Sequence, residues 1–221
     1  MLAPQKVVHK FLPWMGKKML FIHTPKCGGS YISSSFGSAQ KRCFSVRRKD
    51  FKGHLTYVQY KKRLHKIGID INEFILFSAV RNPFDWHVSW YNYVKKDAGG
   101  MRSGMPIEHS LFKNMSFSDY LLYLEDQPFM ERPNQYYLMQ MCDWFTDENG
   151  DLLNIDILNQ ETLSEDLSKL KEKHQILINP PASKINQSLH GDYRKFYKDG
   201  DIDIVSRRHS KDIAIFGYKF G

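Results

Sequence analysis

The chain has 221 residues, enough for one domain with a single substantial core but few for two. With 42% hydrophobic and 25% charged residues it has the composition of a globular protein, and its longest apolar stretch, residues 74–80, is far too short to span a bilayer. The formal net charge of +8 favours polyanionic partners. We therefore expect a single domain over residues 1–221 without a transmembrane segment.

The cysteines and histidines exclude several kinds of site. Three cysteines without a Cys-x-x-Cys pair argue against a disulfide framework and a zinc ribbon, and they favour a reducing compartment. The nine histidines lack the spacing of a metal-binding helix, so no metal is expected. No secretory signal is expected, because charged residues, a histidine and a proline interrupt any hydrophobic segment near the N-terminus. These residues are Lys6, His9, Lys10 and Pro13.

Strand and helix signals alternate along the first part of the chain. Residues 18–23 are a short apolar run followed by a glycine-containing loop, which predicts a buried strand, a loop and a helix from about Ser30. A second helix is predicted over residues 55–65. The continuously apolar residues 74–80 are typical of a strand in a parallel sheet that is covered on both faces.

A helix start follows this second strand directly. Asn82 is suited to the N-cap, Pro83 to the first helical position and Asp85 to the first turn. The helix should continue to about Lys96, and the glycines in residues 99–104 mark a mobile loop after it.

Two later segments have the spacing of a capping box and predict further helices, SFSD at 116–119 and TLSE at 162–165. Between them, residues 144–157 have the pattern of a hairpin around the acidic turn at 147–150, whose spacing does not match a calcium loop. The alternation of strands and helices predicts the α/β class with a central, mainly parallel sheet flanked by helices.

The loop after the first strand is a candidate anion site. Residues 24–30, TPKCGGS, place backbone N–H groups at the start of a helix, and Lys26 precedes the glycines, unlike the lysine of a Walker A motif. Arg81 follows the second strand at the same carboxyl edge of the sheet, where open α/β sheets bind ligands. Ser89 lies two turns after Asn82 on the same side of the helix, so Arg81 and Ser89 can hold a second anion. Each also has an ordinary interpretation, Arg81 in a structural salt bridge and Ser89 as a plain helix residue.

The paired motifs TPKCGGS at 24–30 and AVRNPFDWHVSWY at 79–91 resemble the nucleotide-binding elements of sulfotransferases that use 3′-phosphoadenosine 5′-phosphosulfate (PAPS). The pattern is similar to that of the carbohydrate enzymes, particularly heparan sulfate 2-O-sulfotransferase. GHLTY at 53–57 resembles the segment that bears the catalytic histidine of that enzyme, and weaker similarity lies in residues 160–163 and 186–218.

This resemblance implies a P-loop-like three-layer fold, with PAPS as sulfuryl donor, 3′-phosphoadenosine 5′-phosphate (PAP) as product and no metal. It assigns Lys26 to the bridging oxygen of the donor, and Arg81 and Ser89 to the 3′-phosphate. The residues implied to surround the 5′ end of the donor are Pro25, Lys26, Cys27, Gly28, Gly29, Ser30 and Tyr31.

His54 is predicted to be the general base. A sugar hydroxyl is a poor nucleophile at neutral pH, and a histidine is the usual group to accept its proton. His54 lies in the GHLTY segment that resembles the base-bearing one, and residues 32–36 of the first predicted helix contain no acid. His23, at the end of the first strand, is the alternative base, although a structural role suits it as well.

The expected acceptor is a hydroxyl-bearing oligo- or polysaccharide, and the basic residues concentrated in 41–66 suit an anionic one. Two other functions stay open, a nucleotide kinase of the P-loop type and a nucleic-acid-binding module. The lysine position and the missing metal-binding aspartate count against the kinase, and no nucleic-acid-binding signature is present, so nucleic acid is not expected as a partner. The expected location is cytoplasmic if the chain is full length, and Golgi lumenal if a membrane anchor has been removed.

Overall fold

A computed structural model describes most of the chain, residues 18–36, 54–96, 106–127, 136–181 and 191–221. The chain divides into two compact units, and each is described by itself: Met1–Val80 with Cys142–Asn186, and Arg81–Met141 with Gln187–Gly221. The single domain over residues 1–221 stays a prediction. No helix in the described ranges is long and apolar enough to cross a membrane.

The described elements alternate between strand and helix at the start of the chain and are helical towards its end. The strands are β1 Lys18–Ile22, β2 Phe74–Val80 and β3 Asp156–Asn159. The α-helices are α1 Gly29–Ser35, α2 Tyr57–His65, α3 Pro83–Lys96, α4 Pro106–Phe112, α5 Phe117–Glu125, α6 Leu163–His174, α7 Asp201–Arg208 and α8 Ser210–Phe216. Short 3-10 helices lie at Ile71–Glu73, Tyr136–Leu138, Cys142–Phe145 and Tyr193–Phe196.

The first unit contains a parallel three-stranded sheet with the order β1-β2-β3. The predicted strand at 74–80 is confirmed, and the first strand ends one residue earlier than predicted, at Ile22. Phe77 of β2 is fully buried and packs against the rings of Phe21 and Phe36, with centroid distances of 5.0 and 5.9 Å. The predicted α/β class with a parallel sheet is therefore confirmed.

The hairpin predicted over residues 144–157 is confirmed only next to its turn, where backbone hydrogen bonds join Asp147 to Asp151 and Leu153 to Phe145. Within the described ranges, its two sides form only an isolated antiparallel bridge, between Thr146 and Leu152. The chain then continues into β3, which pairs in parallel with β2, so that Val80 lies opposite Asn159. The residues of β3 form a continuous ladder with β2, whereas the local turn has only an isolated bridge. The sequence pattern does not distinguish parallel pairing with β2 from antiparallel pairing in a hairpin.

The acidic turn at 147–150 is a plain turn, as predicted. The Asp147 carboxylate accepts hydrogen bonds from the backbone N–H groups of Asn149 and Asp151, at 2.8 and 2.9 Å. Such contacts are typical of Asp in turns. Across the described part of the chain, no group of three or more His, Cys, Asp or Glu side chains is placed to hold a metal ion.

Capping boxes open two of the helices. Ser116 and Asp119 form the predicted box at the start of α5, where each side chain bonds the backbone N–H of the other residue. A second box, between Thr56 and Gln59, was not predicted, and it explains why α2 begins at Tyr57 rather than at residue 55.

The starts of α3 and α6 differ in how well they were predicted. Asn82 caps α3 as expected, since its side-chain oxygen accepts the backbone N–H of Phe84 at 3.0 Å. Helix α6 begins at Leu163 as expected, but the predicted capping box is absent there. The hydroxyl of Thr162 instead donates to the carboxylate of Asp166, at 3.1 Å.

In the second unit, α3 carries much of the aromatic core. Trp86 and Trp90 stack nearly parallel on α3, with centroids 5.5 Å apart, and the fully buried Phe112 and Tyr120 lie edge to face. The glycine loop predicted at 99–104 lies outside the described residues, as does the part of the basic segment between 41 and 53.

Candidate functional site

The loop that follows β1 is anchored to β2 by buried hydroxyl groups. The Ser78 hydroxyl donates to the Ile22 carbonyl at 2.8 Å and lies 3.1 Å from the hydroxyl of Thr24. The backbone N–H of Thr24 also bonds the Ile22 carbonyl. These contacts hold the start of the loop at the carboxyl end of the sheet, where ligands of open α/β sheets bind.

Two loop residues adopt left-handed backbone conformations. Gly28 has φ of 82°, which glycine adopts without strain, whereas Lys26 has φ of 62°, which is uncommon for a residue with a side chain. Strained conformations of this kind concentrate at functional sites. Between them, Cys27 is fully buried and its thiol donates to the Pro25 carbonyl, which is the environment of a structural cysteine.

The remaining predicted loop residues form the first turn of α1. Gly28 accepts the first helical hydrogen bond from Ile32 at 3.0 Å, and Ser30 is exposed. The Tyr31 hydroxyl donates to the Pro181 carbonyl at 3.4 Å, so its side chain tethers the segment after α6. The structure thus groups residues 25–31 at one helix start, where backbone N–H groups favour an anion.

The imidazole of His23 lies directly against this helix start. A Cβ atom on Gly29 would overlap the Nε2 atom of His23, so only glycine fits at this position. The His23 ring also stacks on Phe21, at a centroid distance of 5.1 Å. Burial, and secondarily the neighbouring His54, lower the pKa of His23 to about 3, so its imidazole is neutral at physiological pH.

The structure brings His54 to the same loop from the start of the α2 region. Its Nδ1 atom lies 3.0 Å from the His23 carbonyl, its ring centroid 4.2 Å from that of His23, and Trp144 packs edge-on at 6.2 Å. Burial lowers the pKa of His54 below 6.5; the His23 carbonyl opposes this shift and the Lys26 charge adds to it. His54 is therefore neutral at pH 7, and it is close enough to Lys26 for the lysine charge to disfavour its protonated form.

A third segment, which sequence reasoning did not place here, supports the loop. A Cβ atom on Gly28 would lie 2.6 Å from Leu163 and 3.7 Å from Gln160. The carboxylate of Asp166 holds this segment, since it accepts the N–H of Asn159 at 2.8 Å and the hydroxyl of Thr162. The similarity of residues 160–163 to a family element was the only sequence signal for this contact, and Trp144 had none.

Arg81 and Ser89 belong to the second unit. Arg81 is buried, and its guanidinium pairs with the Asp85 carboxylate through Nε at 2.8 Å and through a terminal nitrogen at 2.7 Å. Ser89 is buried on α3, two turns after Asn82. The ordinary interpretation of Arg81 as a salt-bridge residue is thus observed, and its contact with an anion stays a prediction.

The close contact at Gly29 gives a stability prediction. We expect Gly29→Ala to lower the free energy of unfolding by about 2 kcal/mol, because the new methyl group must displace the His23 ring or α1. Denaturant unfolding measures this. In a His23→Ala background the same change should cost less than about 0.5 kcal/mol, since the overlapping ring is gone. Equal costs in both backgrounds would contradict the contact.

The chain is similar to one known protein family over most of its length. A family model described as the sulfotransferase family matches residues 15–219. Neither the curated proteins nor the solved structures gave a match. The matched range contains β1, the loop with Lys26, His54 and the β2–α3 junction at Arg81.

Proposed function

Since the chain belongs to the sulfotransferase family, we propose that it transfers a sulfuryl group from PAPS to a hydroxyl group of a carbohydrate acceptor. The observation that carries this proposal is the grouping of His54, His23 and Lys26 at the loop after β1. A neutral histidine beside a lysine and a helix start combines a base with groups that stabilise a leaving oxygen.

The 5′ side of the donor is assigned to the loop. The backbone N–H groups at the start of α1 and the ammonium group of Lys26 suit the phosphosulfate. As the S–O bond to the phosphate breaks, negative charge grows on the bridging oxygen, and Lys26 would stabilise it there. The strained backbone at Lys26 supports this role, because it fixes the direction in which the side chain leaves the loop.

The tautomer of His54 supports its role as base. The His23 carbonyl can only accept a hydrogen bond, so His54 carries its proton on Nδ1 and has a lone pair on Nε2. Nε2 would take the proton of the acceptor hydroxyl as that oxygen bonds to sulfur, and PAP would leave with the electron pair of the broken S–O bond. Positioning and electrostatic stabilisation dominate such in-line transfers.

An anionic carbohydrate fits the charge next to His54. Helix α2 begins three residues after His54, and Lys62, Arg63 and Lys66 lie along it or at its end. Lys61 is paired with Glu148, whereas Lys62 and Lys66 are exposed. Basic side chains near the base would favour a sulfated or carboxylated glycan, as the resemblance to heparan sulfate 2-O-sulfotransferase implies.

Incubation with PAPS and a panel of acceptors tests the proposal. We expect mass spectrometry to detect an added sulfuryl group on anionic oligosaccharides, and not on steroids or simple phenols. In a thermal-shift assay PAP without magnesium should stabilise the protein, whereas a nucleotide kinase would respond to ATP with magnesium. The proposal would be refuted if ATP with magnesium stabilised the protein, PAP did not, and no sulfuryl group were transferred from PAPS.

The 3′-phosphate of the donor is assigned to Arg81 and Ser89. We expect Arg81→Ala to weaken PAP binding by roughly 2 kcal/mol, the size of a charge-assisted contact made in ground and transition states alike. Adenosine 5′-phosphate lacks the 3′-phosphate and should bind both proteins equally, as calorimetry can measure. Equal weakening of the two nucleotides would place the 3′-phosphate elsewhere. Because Asp85 loses its partner, thermal unfolding of the variant serves as a control.

A further inference from the structure

A chain of buried polar side chains crosses the second unit. The Tyr120 hydroxyl lies 2.9 Å from His87 Nδ1, and His87 Nε2 lies 2.9 Å from His209 Nε2. His209 Nδ1 is in turn 2.8 Å from the Asp212 carboxylate. All four side chains are at most 1% exposed, so water contributes little to their hydrogen bonding. The chain connects α5, α3 and the α7–α8 junction.

The chain of hydrogen bonds continues from Asp212 to Arg81 through the backbone N–H and the side-chain sulfur of Met141. The same Asp212 oxygen accepts the backbone N–H of Met141 at 2.8 Å. The sulfur of Met141 then accepts the backbone N–H of Arg81 at 3.4 Å. Arg81 is the residue that directly precedes the start of α3, and His87 lies on that helix. Asp212 is therefore connected to the beginning of α3 by two sets of hydrogen bonds. One runs through Met141 to Arg81, and the other runs through His209 to His87.

The protonation states are consistent with a fully satisfied chain. Asp212 accepts from two donors, so His209 carries a proton on Nδ1. Burial, then the neighbouring His209 and Arg208, lower the pKa of His87 well below its usual value, so His87 is neutral. Burial raises the pKa of Tyr120 well above its usual value, so its hydroxyl keeps the proton. When His87 Nε2 donates to His209 Nε2, each donor in the chain points towards Asp212.

Burying polar side chains between helices costs desolvation free energy, and apolar residues of similar volume stabilise a core at least as well. What a satisfied buried network adds is one defined arrangement. We propose that Asp212, His209 and His87 are positioning residues that hold Arg81 and the start of α3 for the 3′-phosphate of the donor. The inference rests on the proposed function, because it needs Arg81 at that phosphate.

The test compares two nucleotides that differ only in the 3′-phosphate. We expect Asp212→Asn to weaken PAP binding about tenfold, because a misaligned Arg81 would lose roughly the free energy of one hydrogen bond to the 3′-phosphate. Adenosine 5′-phosphate should stay within about twofold of its wild-type affinity. The matched control is Asp203→Asn, which removes an exposed carboxylate from α7 and should change neither value. Calorimetry gives both dissociation constants.

A merely structural role would lower the melting temperature and leave the ratio of the two dissociation constants unchanged, and that result would overturn the inference. If Asp212→Asn does not fold, Met141→Leu removes only the sulfur acceptor at similar volume. The dissociation constant of adenosine 5′-phosphate divided by that of PAP should then fall about threefold. An unchanged ratio there also overturns the inference. If Arg81→Ala leaves the ratio unchanged, the proposed 3′-phosphate contact is wrong and the positioning role falls with it. If Arg81→Ala changes the ratio and Asp212→Asn does not, only the positioning role is wrong.

Discussion

Replacing His54 by alanine is expected to lower the turnover number by about a hundredfold or more, with PAP affinity within about twofold of wild type. The reason is that Nε2 of His54 would take the acceptor proton, while its Nδ1 proton is held by the His23 carbonyl. Turnover at saturating PAPS and PAP binding by calorimetry measure the two effects separately. His65→Ala is the matched control, because His65 is exposed at the end of α2.

The pH profile makes this prediction sharper. The base must be neutral, and the pKa of His54 is lowered from 6.5, so activity should be full at neutral pH and fall only as the pH drops through that lowered pKa. His54→Ala should lose this acidic limb. If the variant kept the limb and ordinary turnover, His54 would not be the base. An acidic limb caused by His23 would instead lie near pH 3, because burial lowers the pKa of His23 to about 3.

Lys26→Ala is expected to lower the turnover number by about a hundredfold or more with a modest loss of PAP affinity. Lys26 should act on charge that develops on the leaving oxygen, so its contribution appears in the transition state more than in nucleotide binding. Single-turnover rates with PAPS and calorimetry with PAP separate the two.

Two further variants make the Lys26 result interpretable. Lys26→Met keeps the stem of the side chain and removes the charge, and it should lose as much turnover as the alanine variant. Lys171→Ala, at an exposed position on α6, should behave as wild type. Near-normal turnover in Lys26→Met would show that the charge is not used, and the loop would then not be the site of the sulfuryl group.

Much of the secondary structure was predictable because its signals are local. Residues 74–80 form a strand and Pro83 opens a helix that ends at Lys96, as predicted, because a continuous apolar run and an Asn-Pro start act within a few residues. The hairpin predicted at 144–157 was only partly correct, because its full extent depends on distant residues. Whether β3 pairs with its neighbour in sequence or with β2 depends on which edge is available in the folded protein.

The candidate donor loop could likewise be recognised before the structure was known. Residues 24–30 join a predicted strand to a predicted helix, and the position of the lysine before the glycines distinguishes this loop from a Walker A motif. A family model that matches residues 15–219 agrees with the sulfotransferase interpretation. Nothing in that local pattern indicates why Gly29 is required. The reason is the imidazole of His23, which occupies the space of a Cβ atom.

Local patterns in the sequence were thus sufficient to predict the α/β class, which the structure confirms. They were also sufficient to propose the donor loop and to prefer His54 among nine histidines, since both proposals depend on a motif. Tertiary structure alone decided the tautomer of His54, the packing of Leu163 on Gly28 and the buried chain from Tyr120 to Asp212. These contacts join residues far apart in sequence. They exist only once folding has brought the segments together, and a buried polar group that lacks a hydrogen-bond partner costs free energy.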